Sequence, residues 1–290
     1  MRRDLRGRVV LVTGSSRNLG KRIAQMLAQR GAKLVITGRD PSLVEATAAE
    51  IRRDGAEVLG IAGDLTQDAD RIRLRDAIVE RFGGLDVLIN NAGMASFGEF
   101  ATSSEALMRT ILEINFFTPV ELIRLFTPLL KASADQGRID GQGWRPAIVN
   151  ISSICGRVGI PSYPEHSSSK FAIAGMTESL HGEYSRFDID VLLIVPGTVN
   201  MPDRMRHYLR NEGRISLDLR GTPQDTVAEK IIRAIERNRR ETLIGGMTKF
   251  LVLSKKLAPR ILEFFMIRKV RNFEKRAKLG EGSATTAGNE

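Results

Sequence analysis

Apolar and polar residues follow two alternating regimes along the chain. Short apolar runs, many β-branched, recur at Val9–Val12, Leu34–Thr37, Val58–Ala62, Val87–Asn90, Ala147–Ile151 and Val191–Val195. Such runs predict strands buried on both faces. Amphipathic stretches of helical length separate them. Gly20–Gln29 ends at Gly31 and Leu43–Arg53 at Gly55, where a left-handed residue can close a helix. Thr66 can cap a helix running to Phe82, stopped by Gly83-Gly84. Thr102-Ser-Ser-Glu105 reads as a capping box opening a long helix through Asn115 to Lys131. Ala134–Pro146 reads as a polar, Gly-rich loop, and a further helix falls near Ser167–Phe187. Thr222-Pro223 predicts a helix start and Thr242–Ile244 a last short strand. Repeated β-α-β units require parallel strands with right-handed crossovers. The predicted fold class is α/β, a Rossmann-type doubly wound parallel sheet in a three-layer αβα sandwich. Ligands of such sheets bind at the carboxyl ends of the strands.

Composition narrows the function classes. At 290 residues, with 42% hydrophobic and 27% charged residues, the chain suits one large globular domain. No apolar run reaches the ~18 residues of a transmembrane span, and the start of the chain lacks a signal-peptide pattern, so a cytoplasmic protein is expected. One cysteine, Cys155, excludes an internal disulfide and reads as a buried filler; three scattered histidines argue against a metal. The net charge of +10 could suggest nucleic acid, but Met247–Glu290 alone holds ten Lys/Arg against four Asp/Glu. The body carries no basic, aromatic-interleaved patch, so no nucleic-acid partner is expected. The expected division is residues 1–246 as a dinucleotide-binding domain, including a substrate loop at 200–221, and 247–290 as a basic amphipathic tail.

Candidate chemistry sits at predicted strand ends. Thr13-Gly-Ser-Ser-Arg-Asn-Leu-Gly20 joins the first strand to the first helix. Gly14 suits a tight turn and Gly20 a close backbone approach at a helix N-terminus, where a pyrophosphate is favoured. Asn18 replaces the usual glycine, and Asn tolerates a left-handed backbone best after Gly. After the second strand, Gly38 stands where an NAD site places its acid, and Arg39 follows. Arg39 and Arg17 could together hold a 2′-phosphate, which points to NADP; neighbouring Asp40 argues the other way. Ser153, His166 and Lys170 bring a hydroxyl, a proton carrier and a cation into one stretch, with His166 and Lys170 on one helix face.

The ordered set resembles the short-chain dehydrogenase/reductase family over about residues 7–245. It comprises the glycine loop Thr13–Gly20, Asp64-Leu65, Asn90-Asn-Ala-Gly93, Asn115, Ser153 and Lys170. The resemblance implies hydride transfer between a nicotinamide and an alcohol or carbonyl carbon. It implies cofactor contacts from Gly14, Ser16, Arg17, Asn18, Leu19, Gly20 and Arg39, and from Asp64 and Leu65 at the adenine. It adds Asn91, Ala92, Gly93 and Lys170, and Pro196, Gly197 and Val199 beside the nicotinamide. It implies catalytic roles for Ser153, Lys170 and Asn115, and a dimer or tetramer built on the helices around Asn115 and Ser167.

The sequence departs from the family at position 166. A tyrosine belongs there; the chain has His166. Three readings compete: His166 is the acid/base, Tyr163 substitutes, or the protein binds cofactor with little turnover. Met201 is a second departure, where the family often places Thr. Glu165 reads as a solvated helix-start acid, or as one near enough to His166 to keep the imidazole charged, and His181 and His207 as incidental. Met201, Met205, Tyr208 and Leu209 could line an apolar substrate pocket, with Arg204, Arg206 and Arg210 solvated. In the tail, Pro259 can open a helix carrying Ile261, Leu262, Phe264, Phe265, Met266 and Ile267. That apolar face could pack on protein or lie on the inner face of an anionic membrane. Together with the resemblance it tilts the expected small-molecule substrate toward a lipophilic alcohol or ketone. Gly280–Glu290 reads as disordered.

Overall fold

Seven of the strands are parallel neighbours in one sheet, in the spatial order Val58–Ala62, Lys33–Gly38, Val9–Val12, Val87–Asn90, Ala147–Ile151, Asp190–Pro196 and Glu241–Ile244. The computed structural model describes residues 3–141, 143–200, 205–210, 213–218, 221–268 and 270–271. The strands are β1 Val9–Val12, β2 Lys33–Gly38, β3 Val58–Ala62, β4 Val87–Asn90, β5 Ala147–Ile151, β6 Asp190–Pro196 and β9 Glu241–Ile244. β7 Met205–Arg210 and β8 Gly213–Asp218 form a separate antiparallel hairpin. The helices are α1 Asn18–Ala28, α2 Pro41–Arg53, α3 Asp68–Phe82, α4 Glu105–Leu112, α5 Thr118–Ile139, α6 Pro164–Glu183, α7 Gln224–Glu236 and α8 Gly246–Leu257. A further helix, α9, spans 259–268.

Side chains alternate across each strand, so one run feeds two cores. Val10, Val12, Leu34 and Ile36 pack on one face with Ile23 and Leu27 of α1, Ala48 of α2 and Ile231 of α7. Leu11, Val35, Leu88 and Ile148 pack on the other with Leu74 and Ile78 of α3, Phe126 of α5 and Leu180 of α6. The result is the three-layer sandwich expected from the sequence. Chain order along the sheet reverses between β1 and β4, which pair directly as Val10↔Val87 and Val12↔Ile89. Connections leave these two strands in opposite directions, and a crevice opens at their carboxyl ends.

Several local expectations change. Thr66 does not cap α3; Gln67 precedes that helix, and Thr66 donates its hydroxyl to Asp64 at 2.9 Å instead. Ser104, not Thr102, caps α4 by accepting from Leu107 N–H at 3.1 Å. The long helix beyond it is broken by a π turn, Glu113–Phe117, and then runs on to Ile139. Ala134–Pro146 is therefore not wholly a loop. Ala134 and Gly137 are buried on α5, and the backbone of Trp144 crosses Gly137 so closely that a Cβ there would lie 2.7 Å from its carbonyl oxygen. Thr222 pairs with Val199 in an isolated bridge rather than capping α7. The hairpin β7–β8 falls within 200–221, the stretch expected to be a substrate loop. It is anchored by Leu209, which pairs with Ala95 and Phe97 through two backbone hydrogen bonds of 2.8 and 3.2 Å.

Candidate active site

The crevice above β1 and β4 is a cleft of about 680 Å³. Every cofactor residue expected from the sequence lines it: Gly14, Ser16, Arg17, Asn18, Leu19, Gly20, Arg39, Asp64, Leu65, Asn91, Ala92, Gly93, Pro196, Gly197 and Val199. Ser153, His166 and Lys170 line the same cleft. Asn115 lies one layer behind it, fully enclosed.

At the nucleotide end the backbone sets the shape. Gly14 holds φ +62° against Ala92, and Asn18 holds φ +52°, the left-handed turn that its side chain type tolerates. A Cβ on Gly20 would lie 2.2 Å from the Gly14 carbonyl oxygen, so only glycine lets α1 start there. Asn91 locks the loop to β4 by donating Nδ2 to the Thr13 carbonyl at 2.8 Å. Thr13 Oγ1 in turn accepts Asn91 N–H and Ala92 N–H at 3.0 and 2.9 Å. Thr13 thus joins the loops after β1 and β4, a role the motif's spacing alone did not reveal. Asp40 caps α2, accepting from Ser42 and Leu43 N–H at 2.9 and 3.2 Å. Arg17 and Arg39 are exposed at the cleft and make no ion pair among the described residues. Two buried hydroxyls on the cleft wall, Thr37 Oγ1 and Thr118 Oγ1, lack any hydrogen-bond partner. Unsatisfied donors at a cleft are what a polar ligand would complete. Glycine-shaped space, two cations and two orphan hydroxyls together fit a phosphorylated dinucleotide.

The chemical end is set by side chains around Met94. Asn115 Oδ1 accepts Met94 N–H at 2.9 Å, and its Nδ2 donates to the Met94 carbonyl and to Ser169 Oγ at 2.8 and 2.9 Å. These bonds draw Asn115 inward and account for the π turn, a device common at functional sites. His166 Nδ1 lies 3.2 Å from the same Met94 carbonyl. A carbonyl oxygen only accepts, so this contact places the proton on Nδ1. Lys170 is buried, and Nζ donates to the Ile151 carbonyl at 3.0 Å. Burial lowers its pKa to about 8, against an upward pull from Cys155. Ser153 sits at the start of the turn Ile154–Gly156, its Oγ accepting Cys155 N–H at 3.2 Å. Behind the site a buried ladder runs from Asn90 through Asn150 to Thr177, with bonds of 2.8 and 2.9 Å across β4, β5 and α6.

Two expectations are corrected here. Glu165 is not solvated: it is 2% exposed, and its carboxylate accepts hydrogen bonds from Ser96 Oγ at 2.9 Å and from Ser103 Oγ. That ties the start of α6 to the segment carrying Met94, and two serines distant in sequence gave no signal of it. Tyr163 does not line the cleft. Its ring packs edge-on against Phe97 and Tyr208 at 5.1 and 5.6 Å. Tyr208 and Leu209 do line the cleft, as expected, and Arg210 is exposed. His181 contacts the Val191 carbonyl at 3.1 Å on the far part of α6. Met201, Pro202 and Arg204, the side chains of Met205, Arg206 and His207, and the stretch Gly280–Glu290 lie outside the described residues.

The family model described as short chain dehydrogenase matches residues 8–212. The chain belongs to the short-chain dehydrogenase family. A CLA biosynthesis dehydrogenase/reductase of Lactiplantibacillus plantarum is 30% identical over 262 residues, covering 82% of this chain and 87% of that protein. Among solved structures, a metagenomic short-chain oxidoreductase in complex with NADP is 27% identical, with a TM-score of 0.67, over 83% of this chain and 97% of the other. A short chain dehydrogenase/reductase from Burkholderia phymatum in complex with NAD has a TM-score of 0.75 at 24% identity, over 87% and 94%. The last likeness speaks to the fold. The seven-stranded parallel sheet and its flanking helices are those of the family.

Proposed function

We propose that the protein is an NADP(H)-dependent oxidoreductase that interconverts an apolar alcohol and its carbonyl compound, with His166 as the acid/base. The observation that carries this reading is the contact between His166 Nδ1 and the Met94 carbonyl. With Nδ1 donating to a backbone acceptor, Nε2 is assigned to the substrate proton. In the reducing direction the imidazolium donates from Nε2 to the carbonyl oxygen; in the oxidising direction neutral Nε2 takes the alcohol proton. Ser153 Oγ is assigned to hold the substrate oxygen. Lys170 is assigned to the nicotinamide ribose, and Asn115, through Met94, to keep the imidazole in place. The chemistry that a bound NADPH supplies is a hydride, delivered to the carbonyl carbon.

The preference for NADP rests on two supports. Asp40 is spent on capping α2, and Gly38 is closed over by Ser16, whose Oγ would lie 2.5 Å from a Cβ there. Among the described residues no acid is thus presented where a ribose 2′-hydroxyl would need one, while Arg17 and Arg39 stand at the cleft for a 2′-phosphate. The metagenomic relative solved with NADP agrees with that choice. The apolar substrate is supported by Tyr208 and Leu209, which bring an aromatic and an aliphatic wall to the cleft. Assembly into a dimer or tetramer belongs to the same reading; Phe117, exposed between the π turn and α5, is the kind of side chain that such an interface covers.

NADPH oxidation with a panel of lipophilic ketones and aldehydes tests the proposal. Turnover that falls ~10²–10⁴-fold in His166→Phe, with NADPH affinity kept, is the expected result. Tight NADPH binding without turnover in the wild type, and activity appearing only in His166→Tyr, would instead make this a cofactor-binding protein with a disused chemical end.

A further inference from the structure

The C-terminal helices carry a surface that the proposed reaction does not use. Among the described residues, nine of the sixteen large apolar side chains that are exposed fall between Met247 and Val270. On α8, Phe250, Leu253 and Leu257 recur at helical spacing and share a face; Leu257 is 73% exposed. On α9, Ile261, Phe264 and Phe265 do the same, and Phe265 is 62% exposed. The opposite side of α9 faces the body. Leu262 is buried and, with Met266, Val158 and Pro161, lines a groove of about 530 Å³ against the body. An α-helix that is apolar on both sides requires a second apolar environment for its outer side.

Charge identifies that environment. Residues 246–271 hold seven lysines and arginines and one glutamate. Lys256, Arg260, Arg268 and Arg271 are exposed and make no ion pair among the described residues. Protein interfaces deplete lysine, and the core of such a patch is poor in charge. An anionic bilayer accepts an apolar face flanked by long cationic side chains, whose stems lie along the acyl boundary while their heads meet the phosphates. No helix among the described residues is long and apolar enough to cross a membrane, so contact would lie in the interfacial plane. The pair is also firmly seated on the body: Lys255 Nζ donates to the Arg157 carbonyl at 2.8 Å and sits 4.7 Å over the Phe171 ring. Thr248 is buried where a Cβ on Gly197 would lie 2.4 Å from its hydroxyl.

We propose that α8 and α9 form a docking surface for an anionic lipid bilayer, with Phe250, Leu253, Leu257, Ile261, Phe264 and Phe265 entering the interface. The inner side of α9 shares its groove with Val158 and Pro161, in the segment between Ser153 and His166.

Co-flotation of the full chain with phosphatidylglycerol-containing vesicles and with pure phosphatidylcholine vesicles is the test. Binding to the anionic vesicles only, weakened by salt, is expected. Phe264→Ser/Phe265→Ser should lose roughly tenfold or more in partitioning, because each aromatic ring leaves the apolar layer. Arg260→Gln/Arg268→Gln should lose about fivefold per charge on anionic vesicles. Circular dichroism and thermal melting confirm that these exposed substitutions leave the fold intact. Absence of vesicle binding, or equal binding to neutral vesicles, overturns the proposal. So does light scattering in which the phenylalanine variant splits an oligomer while vesicle binding is nil, which would make the face a contact between copies of this chain.

Discussion

The two ends of the cleft are built on different principles. The nucleotide end is held by backbone shape: a left-handed turn at Gly14, a close crossing at Gly20, and loops tied through Thr13 and Asn91. Its one departure from a glycine-rich loop, Asn18, costs little because Asn reaches φ +52° without a clash. The chemical end is held by side chains that meet at Met94, and the proton carrier proposed there is a single residue, His166. A site made of backbone absorbs substitution as long as the turn survives. A site made of one proton carrier changes its reaction when that carrier changes.

The first way to break this contrast is at the backbone. Gly20→Ala drives a Cβ to 2.2 Å from the Gly14 carbonyl oxygen. The loop must open, and NADPH affinity measured by fluorescence titration should fall by roughly a hundredfold or more, since misplaced donors forfeit several charge-assisted bonds at once. Asn18→Gly should leave it within about twofold, because glycine adopts the same turn freely. Next in size is the cofactor preference. Arg17→Ala/Arg39→Ala should weaken NADPH by about ten- to a hundredfold, as two charge-assisted contacts are lost, and leave NADH nearly unchanged. Equal losses for both cofactors would remove the 2′-phosphate from the account.

The smallest effect sharpens the chemical end. Burial lowers the Lys170 pKa from its ordinary 10.5 to about 8. Between those two values the unfolded chain binds the extra proton, so stability without cofactor rises as pH climbs through that window. Below about pH 8 the cost of the buried charge is fully present. Lys170→Met should therefore be more stable than wild type below pH 8, by at most about 3 kcal/mol, with the gap closing toward pH 10.5. Urea titrations across pH measure this; a gap that does not depend on pH would contradict a buried ammonium.

Much of this was legible in the chain, for identifiable reasons. Apolar runs such as Val9–Val12 announce a strand because both of its faces are buried, and the glycine loop announces itself because its geometry admits few residues. What escaped depends on contacts between distant segments. The π turn exists because Asn115 reaches Met94 and Ser169. Glu165 is buried because Ser96 and Ser103 fold over it. Local pattern carries neither pairing. Tyr163 looked available by its nearness in sequence to His166, yet an aromatic cluster with Phe97 and Tyr208 takes it away from the cleft. The hairpin β7–β8 is held by Leu209 pairing with Ala95 and Phe97, again a contact between distant segments.

In the proposed reaction an imidazole bound to the Met94 carbonyl does the work of the family's phenol. The pH dependence of kcat/KM for NADPH-linked carbonyl reduction, wild type against His166→Tyr, tests it most directly. The wild type should lose rate as pH rises through neutrality, as an imidazolium gives up its proton, while the tyrosine variant stays flat there. Profiles that coincide through neutrality would contradict His166 as the proton donor.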